Sequence, residues 1–312
     1  MRYSFVTRLR AHSAGLQDLL DRLAAGEPGP EDLLALARAP LPLLATAVRE
    51  RMHERAAVVG VVPVRLGPDV AETCEKVMAH RAWAEAEILE LSCTVPATVG
   101  AIDQLCEVLD RLLRAAPGAV ARIEEESLLA LAEGAGLPAE GAARRLVAHG
   151  VVEVRRRGSG GPLAYGPLPV HELWEAPAEI TLEFVRSLLE GERRPLSFAQ
   201  GRSATGIQLL RAAALARLAG HHPITVVGGD ELKGPDAALC FGADRMEAEL
   251  DPAGSMGSRT RAYGEAAIRG AQRVPERPRR RSADKEVAHI LDEDVDPSLL
   301  PGGEDTGLEV QS

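Results

Sequence analysis

Cysteine is the residue type in this chain whose chemistry depends most on spacing. The four cysteines are Cys74, Cys93, Cys106 and Cys240, and no two of them are closer than 13 residues. An iron–sulfur cluster with one open iron needs three thiolates close together, usually on one loop. The spacing therefore predicts no cluster, and it favours reduced core thiols over a disulfide framework.

Two weaker metal-binding patterns remain open as alternatives. Cys74 and Cys93 lie at or just beyond the C-terminal ends of predicted strands, so they could approach each other at one end of a parallel sheet, although no third ligand is placed. His221 and His222 are adjacent and precede Pro223. Neighbouring side chains point apart in an extended segment, which favours surface or partly buried histidines over a metal site.

A segment of small and hydroxyl-bearing residues, 201–206, precedes a predicted helix. Its serine and threonine can cap the helix, and Arg202 with Ser203 could also receive an anion at the positive end of the helix dipole. The capping role is the simpler interpretation.

Composition restricts the classes of partner. The chain has 312 residues, 46% apolar and only 3% aromatic, with a formal net charge of -10. Few aromatic side chains and a negative charge both argue against nucleic acid as a partner. No apolar run reaches about 18 residues, so we expect no membrane association and a cytoplasmic protein.

Short apolar runs alternate with amphipathic segments along most of the chain, which predicts parallel strand–helix units. The predicted strands are 56–64, 87–94, 119–123, 151–155, 195–199, 224–227 and 238–241. About seven such units predict a partial or complete TIM-like (β/α) barrel in the α/β class. We expect a helical lead-in at 1–55, the barrel at 56–276, and a polar, disordered tail at 277–312.

Several blocks, in this order, resemble one enzyme family. They include Leu23-Ala-Ala-Gly-Glu27, Ala47-Val-Arg-Glu-Arg-Met-His53, Gly100-Ala-Ile-Asp-Gln104, the stretch 124–137, and Phe241-Gly-Ala-Asp244 as the most specific piece. They are similar to the futalosine-pathway radical S-adenosylmethionine enzymes of menaquinone biosynthesis, aminofutalosine synthase and cyclic dehypoxanthine futalosine synthase. The resemblance covers about two-thirds of the chain in separate blocks.

The resemblance implies a barrel whose mouth holds the ligand, with Asp244 at the active end of the last strand and Ser92 and Cys93 at the end of the second. The family's Cys-x3-Cys-x2-Cys motif is missing, since the segment after the first strand has only Cys74. We therefore expect a cluster-free homologue without cofactor or radical activity, which binds a nucleoside-like ligand or a partner such as an intact radical enzyme paralogue or another menaquinone-pathway protein. The alternative is an active enzyme that uses an unconventional metal site, an iron–sulfur cluster with S-adenosylmethionine, or cluster-independent chemistry.

Overall fold

The computed structural model describes most of the chain in a series of ranges. These are residues 5–25, 28–67, 69–79, 86–93, 100–116, 118–158, 165–190, 193, 195–228, 235–250 and 258–276. The predicted tail at 277–312 lies outside the described residues.

Four helices precede the first strand, and the other described helices follow individual strands. The first four are α1 (Phe5–Ser13), α2 (Gln17–Ala25), α3 (Pro30–Arg38) and α4 (Leu41–Arg49). The later ones are α5 (Val70–Ala79), α6 (Ala101–Ala115), α7 (Glu125–Gly134), α8 (Ala139–Val147), α9 (Leu182–Leu189), α10 (Gly206–Leu218), α11 (Pro235–Ala238) and α12 (Ser258–Gly270). None of these described helices has the combined length and apolar character of a membrane span.

The described strands form a closed parallel barrel. Its eight strands are β1 (Arg55–Leu66), β2 (Ile88–Cys93), β3 (Val120–Glu124), β4 (Val151–Arg157), β5 (Val170–Ala176), β6 (Leu196–Gln200), β7 (Ile224–Gly228) and β8 (Arg245–Glu249). Each strand pairs with the next, and β1 pairs with both β2 and β8, which closes the ring. A two-residue strand, β9 (Val274–Pro275), pairs with the start of β1. The predicted TIM-like barrel is confirmed, with eight strands instead of about seven.

The apolar run of β1 is explained by burial on both faces. Val58, Val62 and Val64 belong to the core between the sheet and the helices. Val59 and Val61 are equally buried but point to the other side, into the barrel. Because successive side chains on a strand alternate between faces, a strand enclosed on both sides must be apolar at most positions.

One strand was not predicted, and one strand prediction was wrong. The segment Val170–Ala176 forms β5, where the sequence analysis placed no strand. The run 238–241 lies at the end of α11 and in the following turn, and β8 begins only at Arg245. In both cases charged side chains on a strand obscured the strand pattern, because the interior of this barrel is polar.

A close contact between α12 and β1 allows a first test of the packing. A Cβ added at Gly264 would lie 2.6 Å from Cγ2 of Val58, whereas one at Gly270 would meet nothing within 4 Å. Since a β-branched strand residue has little freedom to move, we expect Gly264→Ala to lower the free energy of unfolding by about 1–3 kcal/mol. Urea unfolding should show no loss for Gly270→Ala, and equal behaviour of the two variants would contradict this packing.

Candidate functional site

The interior of the barrel is built around a buried Arg–Glu pair. Arg122 on β3 has no exposed surface, and Glu247 on β8 is 4% exposed. The guanidinium donates to both carboxylate oxygens of Glu247, at 2.8 and 3.0 Å. A bidentate pair of this kind has the strongest geometry available to these side chains.

A second arginine and a second glutamate extend the pair into a network. Arg155 on β4 donates to Glu90 of β2 at 2.7 Å and also to Glu247. Arg122 lies 3.2 Å from the same Glu90 carboxylate. Burial alone would raise the pKa of Glu247, but Arg122 and Arg155 outweigh it and hold that pKa well below its usual range. Glu247 therefore stays charged inside the barrel, between two arginines.

The network continues toward β6 through a carboxylate, an imidazole and a hydroxyl. Glu153 lies 3.4 Å from Arg122 and 3.5 Å from Nδ1 of His171, whose Nε2 is 2.9 Å from Oγ of Ser197. Burial alone would raise the pKa of Glu153, but His171 and Arg122 lower it to about 2. The Glu–His–Ser order is that of a hydrolase triad. Ser197 is 0% exposed, however, so the arrangement orients side chains and presents no nucleophile to a substrate.

The C-terminal mouth of the barrel lies next to this network. Strand β3 passes directly into α7, so the first turn of that helix stands at the rim. A cavity of about 170 Å³ opens there, lined by Glu124, Glu125, Glu126, Arg155 and Arg157. We call it the mouth cleft. The mouth cleft adjoins both the charged interior of the barrel and the N-terminus of α7.

The charged side chains around the mouth cleft differ in how closely they are paired. Glu125 accepts from Arg156 at 2.9 Å and from the hydroxyl of Tyr165. Arg157 reaches Glu124 only at 3.4 Å, and 73% of its side chain is exposed. Arg157 and Glu124 can therefore turn toward a ligand at small cost, since exposed ion pairs of this geometry contribute roughly 0–1 kcal/mol.

The cysteines do not fit an iron–sulfur cluster. Strand β1 ends at Leu66 and α5 begins at Val70, so only three residues connect them. Cys74 lies inside α5, 2% exposed, where burial raises the pKa of its thiol. Cys93 is half-buried at the end of β2 and packs against the apolar core. The thiolates that hold a cluster must converge on it in space. All four cysteines are among the described residues, where no group of three potential metal ligands contains one.

Asp244 is not where the resemblance places it. The residue precedes β8, so it lies at the N-terminal end of the barrel, opposite the mouth cleft. Its Oδ1 accepts from Arg273 at 3.0 Å, and its Oδ2 accepts from Arg217 and from the backbone N–H of Ile224 at 2.9 Å. Burial alone would raise the pKa of Asp244, but these donors lower it below its usual value. The expectation that Asp244 lies at the mouth was wrong. Its carboxylate instead accepts hydrogen bonds from Arg217 of α10 and from the first residue of β7, and so connects a helix with a strand end.

Two histidines lie beside Asp244 but form a poor metal site. Nδ1 of His222 is 3.1 Å from Oδ2 of Asp244, and ligand atoms of these two residues and of His53 all lie within 4.8 Å of one another. The ring centroids of His53 and His222 are 3.8 Å apart with the ring planes inclined by 32°, and Arg217 contacts both His222 and Asp244. The positive guanidinium next to these ligand atoms disfavours a bound cation. The adjacent pair itself is divided, since Nε2 of His221 lies 2.6 Å from the carbonyl oxygen of Leu188 and only His222 belongs to this group, and the expectation that the pair binds no metal stays a prediction.

The other predicted site residues lie near the C-terminal ends of their strands. Ser92 ends β2 beside Cys93, whose backbone N–H donates to Ser127 of α7 at 2.9 Å. Arg202 and Ser203 are exposed in the turn between β6 and α10, and Thr205 rather than Ser203 caps that helix. No described contact joins the β2 pair to Arg202 and Ser203, so their shared role in a ligand site stays a prediction.

Sequence reasoning missed the residues that dominate the interior. They are Glu90, Arg122, Glu153, Arg155, His171 and Glu247. A signal was present, because charged residues alternate with apolar ones in Val120–Glu124 and Arg245–Glu249. Such alternation is usually interpreted as a solvated sheet face. In a closed barrel the second face is the interior, so the same pattern indicates buried charge.

Comparisons with known proteins show the fold and nothing finer. No protein-family model matches the chain, and no curated protein matches it. Among solved structures, HydG, a maturase of the FeFe-hydrogenase, superposes with a TM-score of 0.50 at 10% identity, covering 93% of this chain and 97% of that one. HydG from Carboxydothermus hydrogenoformans gives a TM-score of 0.51 at 10% identity, covering 91% and 79%. At this identity the likeness extends to the barrel alone.

Proposed function

We propose that this chain is a cluster-free barrel protein that binds a small polar ligand at its C-terminal mouth and carries out no radical chemistry. In this proposal it is a homologue of the futalosine-pathway radical enzymes that kept the barrel and a ligand site. The mouth is where parallel barrels generally bind ligands, because the loops after the strands meet there.

One observation carries the proposal: the connection between β1 and α5. In the resembled family this connection holds the cluster, but here it has three residues and the nearest cysteine is already buried in the helix. Three residues cannot surround a four-iron cluster with three thiolates. The chain's own residues therefore argue against reductive cleavage of S-adenosylmethionine.

The barrel interior supports a binding role over catalysis. The buried glutamates and arginines are paired with one another, and the Glu153–His171–Ser197 chain is closed to solvent at its hydroxyl end. A buried network whose charged groups are paired with one another stiffens a site and does not by itself supply a reacting group. The mouth cleft, in contrast, has exposed charge that a ligand can meet.

The proposal also includes a metabolic pathway and a binding partner. The sequence blocks support a place beside menaquinone-pathway enzymes, with a nucleoside-like ligand or an intact radical enzyme paralogue as partner. An enzyme that uses Cys74 and Cys93 as metal ligands has less support. Metal ligation needs the thiolate, and burial of Cys74 disfavours it.

Anaerobic reconstitution tests the proposal directly. Purified protein is incubated with ferrous iron and sulfide and then desalted. Bound iron and the visible absorbance of an iron–sulfur cluster are measured. S-adenosylmethionine and dithionite are then added, and the product 5′-deoxyadenosine is assayed. We expect colourless protein and no nucleoside product. Stoichiometric iron that disappears in Cys74→Ala and Cys93→Ala, or any turnover of the sulfonium, would overturn the proposal.

A further inference from the structure

We infer that two histidines at the N-terminal end of the barrel form a pH-sensitive contact, which opens when both imidazole rings are protonated. His53 lies in the connection between α4 and β1, and His222 lies two residues before β7. Their contact joins the helical segment that precedes the barrel to the barrel itself. It lies at the end opposite the mouth cleft, so the inference is independent of the proposed function.

The two rings are in contact and are open to solvent. Their centroids are 3.8 Å apart, and 50% of the His222 side chain is exposed. His53 is also exposed. Protons therefore reach both imidazoles directly, and histidine is the side chain whose charge ordinarily changes between about pH 5 and 8. Two charged rings at this separation repel each other, whereas a pair with at most one charge does not.

Three charged side chains surround the pair and already leave an excess of positive charge. Asp244 accepts from Arg273 at 3.0 Å through Oδ1 and from Arg217 through Oδ2, and all three residues are buried. Two guanidiniums, which stay charged at any relevant pH, thus face a single carboxylate. We name the five side chains the floor cluster: His53, Arg217, His222, Asp244 and Arg273.

The floor cluster accommodates one proton on the histidine pair but not two. Nδ1 of His222 is 3.1 Å from Oδ2 of Asp244, so a proton on this ring faces a carboxylate. The same Nδ1 is 3.4 Å from Arg217, which offsets part of that attraction. A second proton, on His53, finds no second carboxylate in the cluster. With both rings protonated, four positive groups surround one carboxylate.

The charged residues next to His53 in the chain do not change this balance. They are Arg51, Glu54 and Arg55, and Glu276 lies 3.5 Å from Arg55. These residues supply two positive and two negative charges, which cancel. Arg51 is also directed away from the rings, since it donates to backbone carbonyls of α2 and α10. The floor cluster therefore sets the electrostatics of the histidine pair.

The surroundings of His53 act in the direction that this contact requires. Partial desolvation lowers the pKa of His53, and His222 lowers it further. Asp244 raises that pKa, but Arg217 and Arg273 lower it again, and the net shift is downward. A histidine whose pKa is lowered on folding stabilises the folded state above its unfolded pKa, near 6.5. That contribution is lost as the pH falls below about 6.5.

NMR titration of the histidine rings in the full chain, from about pH 8 to about pH 5, tests the contact. We expect His222→Gln to raise the pKa of His53 toward its ordinary value, because a like charge next to the ring is removed. His12→Gln, at an exposed position on α1, is the matched control and should leave the pKa of His53 unchanged. His53→Gln assigns the His53 signal.

Hydrogen exchange followed by mass spectrometry at about pH 7.5 and about pH 5.5 measures whether the contact opens. The amide of Ala57 donates to the carbonyl of Asp244 at 2.9 Å, and that of Ile224 donates to the carboxylate, so peptides with these amides report on both sides. After correction for intrinsic exchange, we expect their protection to fall at least about fivefold at the lower pH, as for two unit charges about 4 Å apart in water. The loss should be absent in His53→Gln and in His222→Gln.

Two results would overturn the inference. One is a pKa of His53 that is the same in His222→Gln as in the unmodified chain. The other is protection at Ala57 and Ile224 that the unmodified chain keeps at about pH 5.5, or that both histidine variants lose equally. Both replaced side chains are exposed, so thermal unfolding at about pH 7.5 should stay close to that of the unmodified chain. If one variant unfolds early, the other decides the exchange test.

Discussion

Replacing Glu247 by alanine is expected to lower the free energy of unfolding by about 3–5 kcal/mol, because the change leaves two buried guanidiniums without their shared carboxylate. Arg122 would retain only Glu90 and Glu153, at 3.2 and 3.4 Å, and Arg155 would retain Glu90. Urea unfolding followed by circular dichroism measures the loss.

A surface ion pair provides the matched control for this variant. Glu140 pairs with Arg144 one turn along α8, at 2.9 Å and largely exposed. Glu140→Ala should change the free energy of unfolding by less than about 0.5 kcal/mol. A double replacement, Arg122→Met with Glu247→Leu, should be less harmful than Glu247→Ala alone, since it removes the unpaired charge. A loss for Glu247→Ala as small as for Glu140→Ala would show that the interior network is not formed.

Acidification is expected to produce the second large effect. The folded-state pKa of Glu153 is lowered to about 2, and the pKa values of Glu247 and Asp244 are also lowered. A carboxyl group whose pKa is depressed on folding contributes stability above its unfolded pKa, near 4.3 for glutamate, and loses it as the pH falls toward the folded pKa. Stability should therefore decrease by a few kcal/mol, on the order of 3 for Glu153 alone, between about pH 5 and pH 2.

The acid effect can be assigned to Glu153 by substitution. Glu153→Gln should be less stable than the unmodified chain at pH 7 and should show a flatter loss of stability between about pH 5 and pH 2. Glu140→Gln should leave the shape of the pH profile unchanged. A profile for Glu153→Gln that runs parallel to that of the unmodified chain would mean that Glu153 is not held as a carboxylate by His171 and Arg122.

Much of the fold could be predicted because local patterns and packing agree. The helices α6 and α10 follow predicted strands, as the alternation of apolar runs and amphipathic segments indicates, and the apolar runs of β1 and β7 form the expected strands. The failures share one cause. Strands β5 and β8 carry His171 and Glu247 toward the interior, and a sequence pattern cannot tell whether a polar face meets water or a closed barrel.

The candidate site was predictable only in part, for the same reason. The expectation that no cluster is bound depends on the spacing of the cysteines alone, since chain distance limits which thiolates one loop can offer, and it stays a prediction. The sequence analysis placed Asp244 at the wrong end of the barrel, because it took 238–241 as the last strand. The last barrel strand begins at Arg245, so Asp244 precedes it. The place of Arg155 and Arg157 at the mouth follows from the register of β4 against its neighbours, which the sequence does not specify.

By itself the sequence determined the α/β barrel class and the lack of clustered sulfur ligands, because both depend on periodicity and spacing along the chain. Only the tertiary structure decided that ionisable side chains from β2, β3, β4, β5 and β8 meet inside the barrel, and that Glu124, Glu126, Arg155 and Arg157 share one cleft. Those contacts join residues up to 125 positions apart. Barrel closure brings them together, and closure is a property of all eight strands that no single segment encodes.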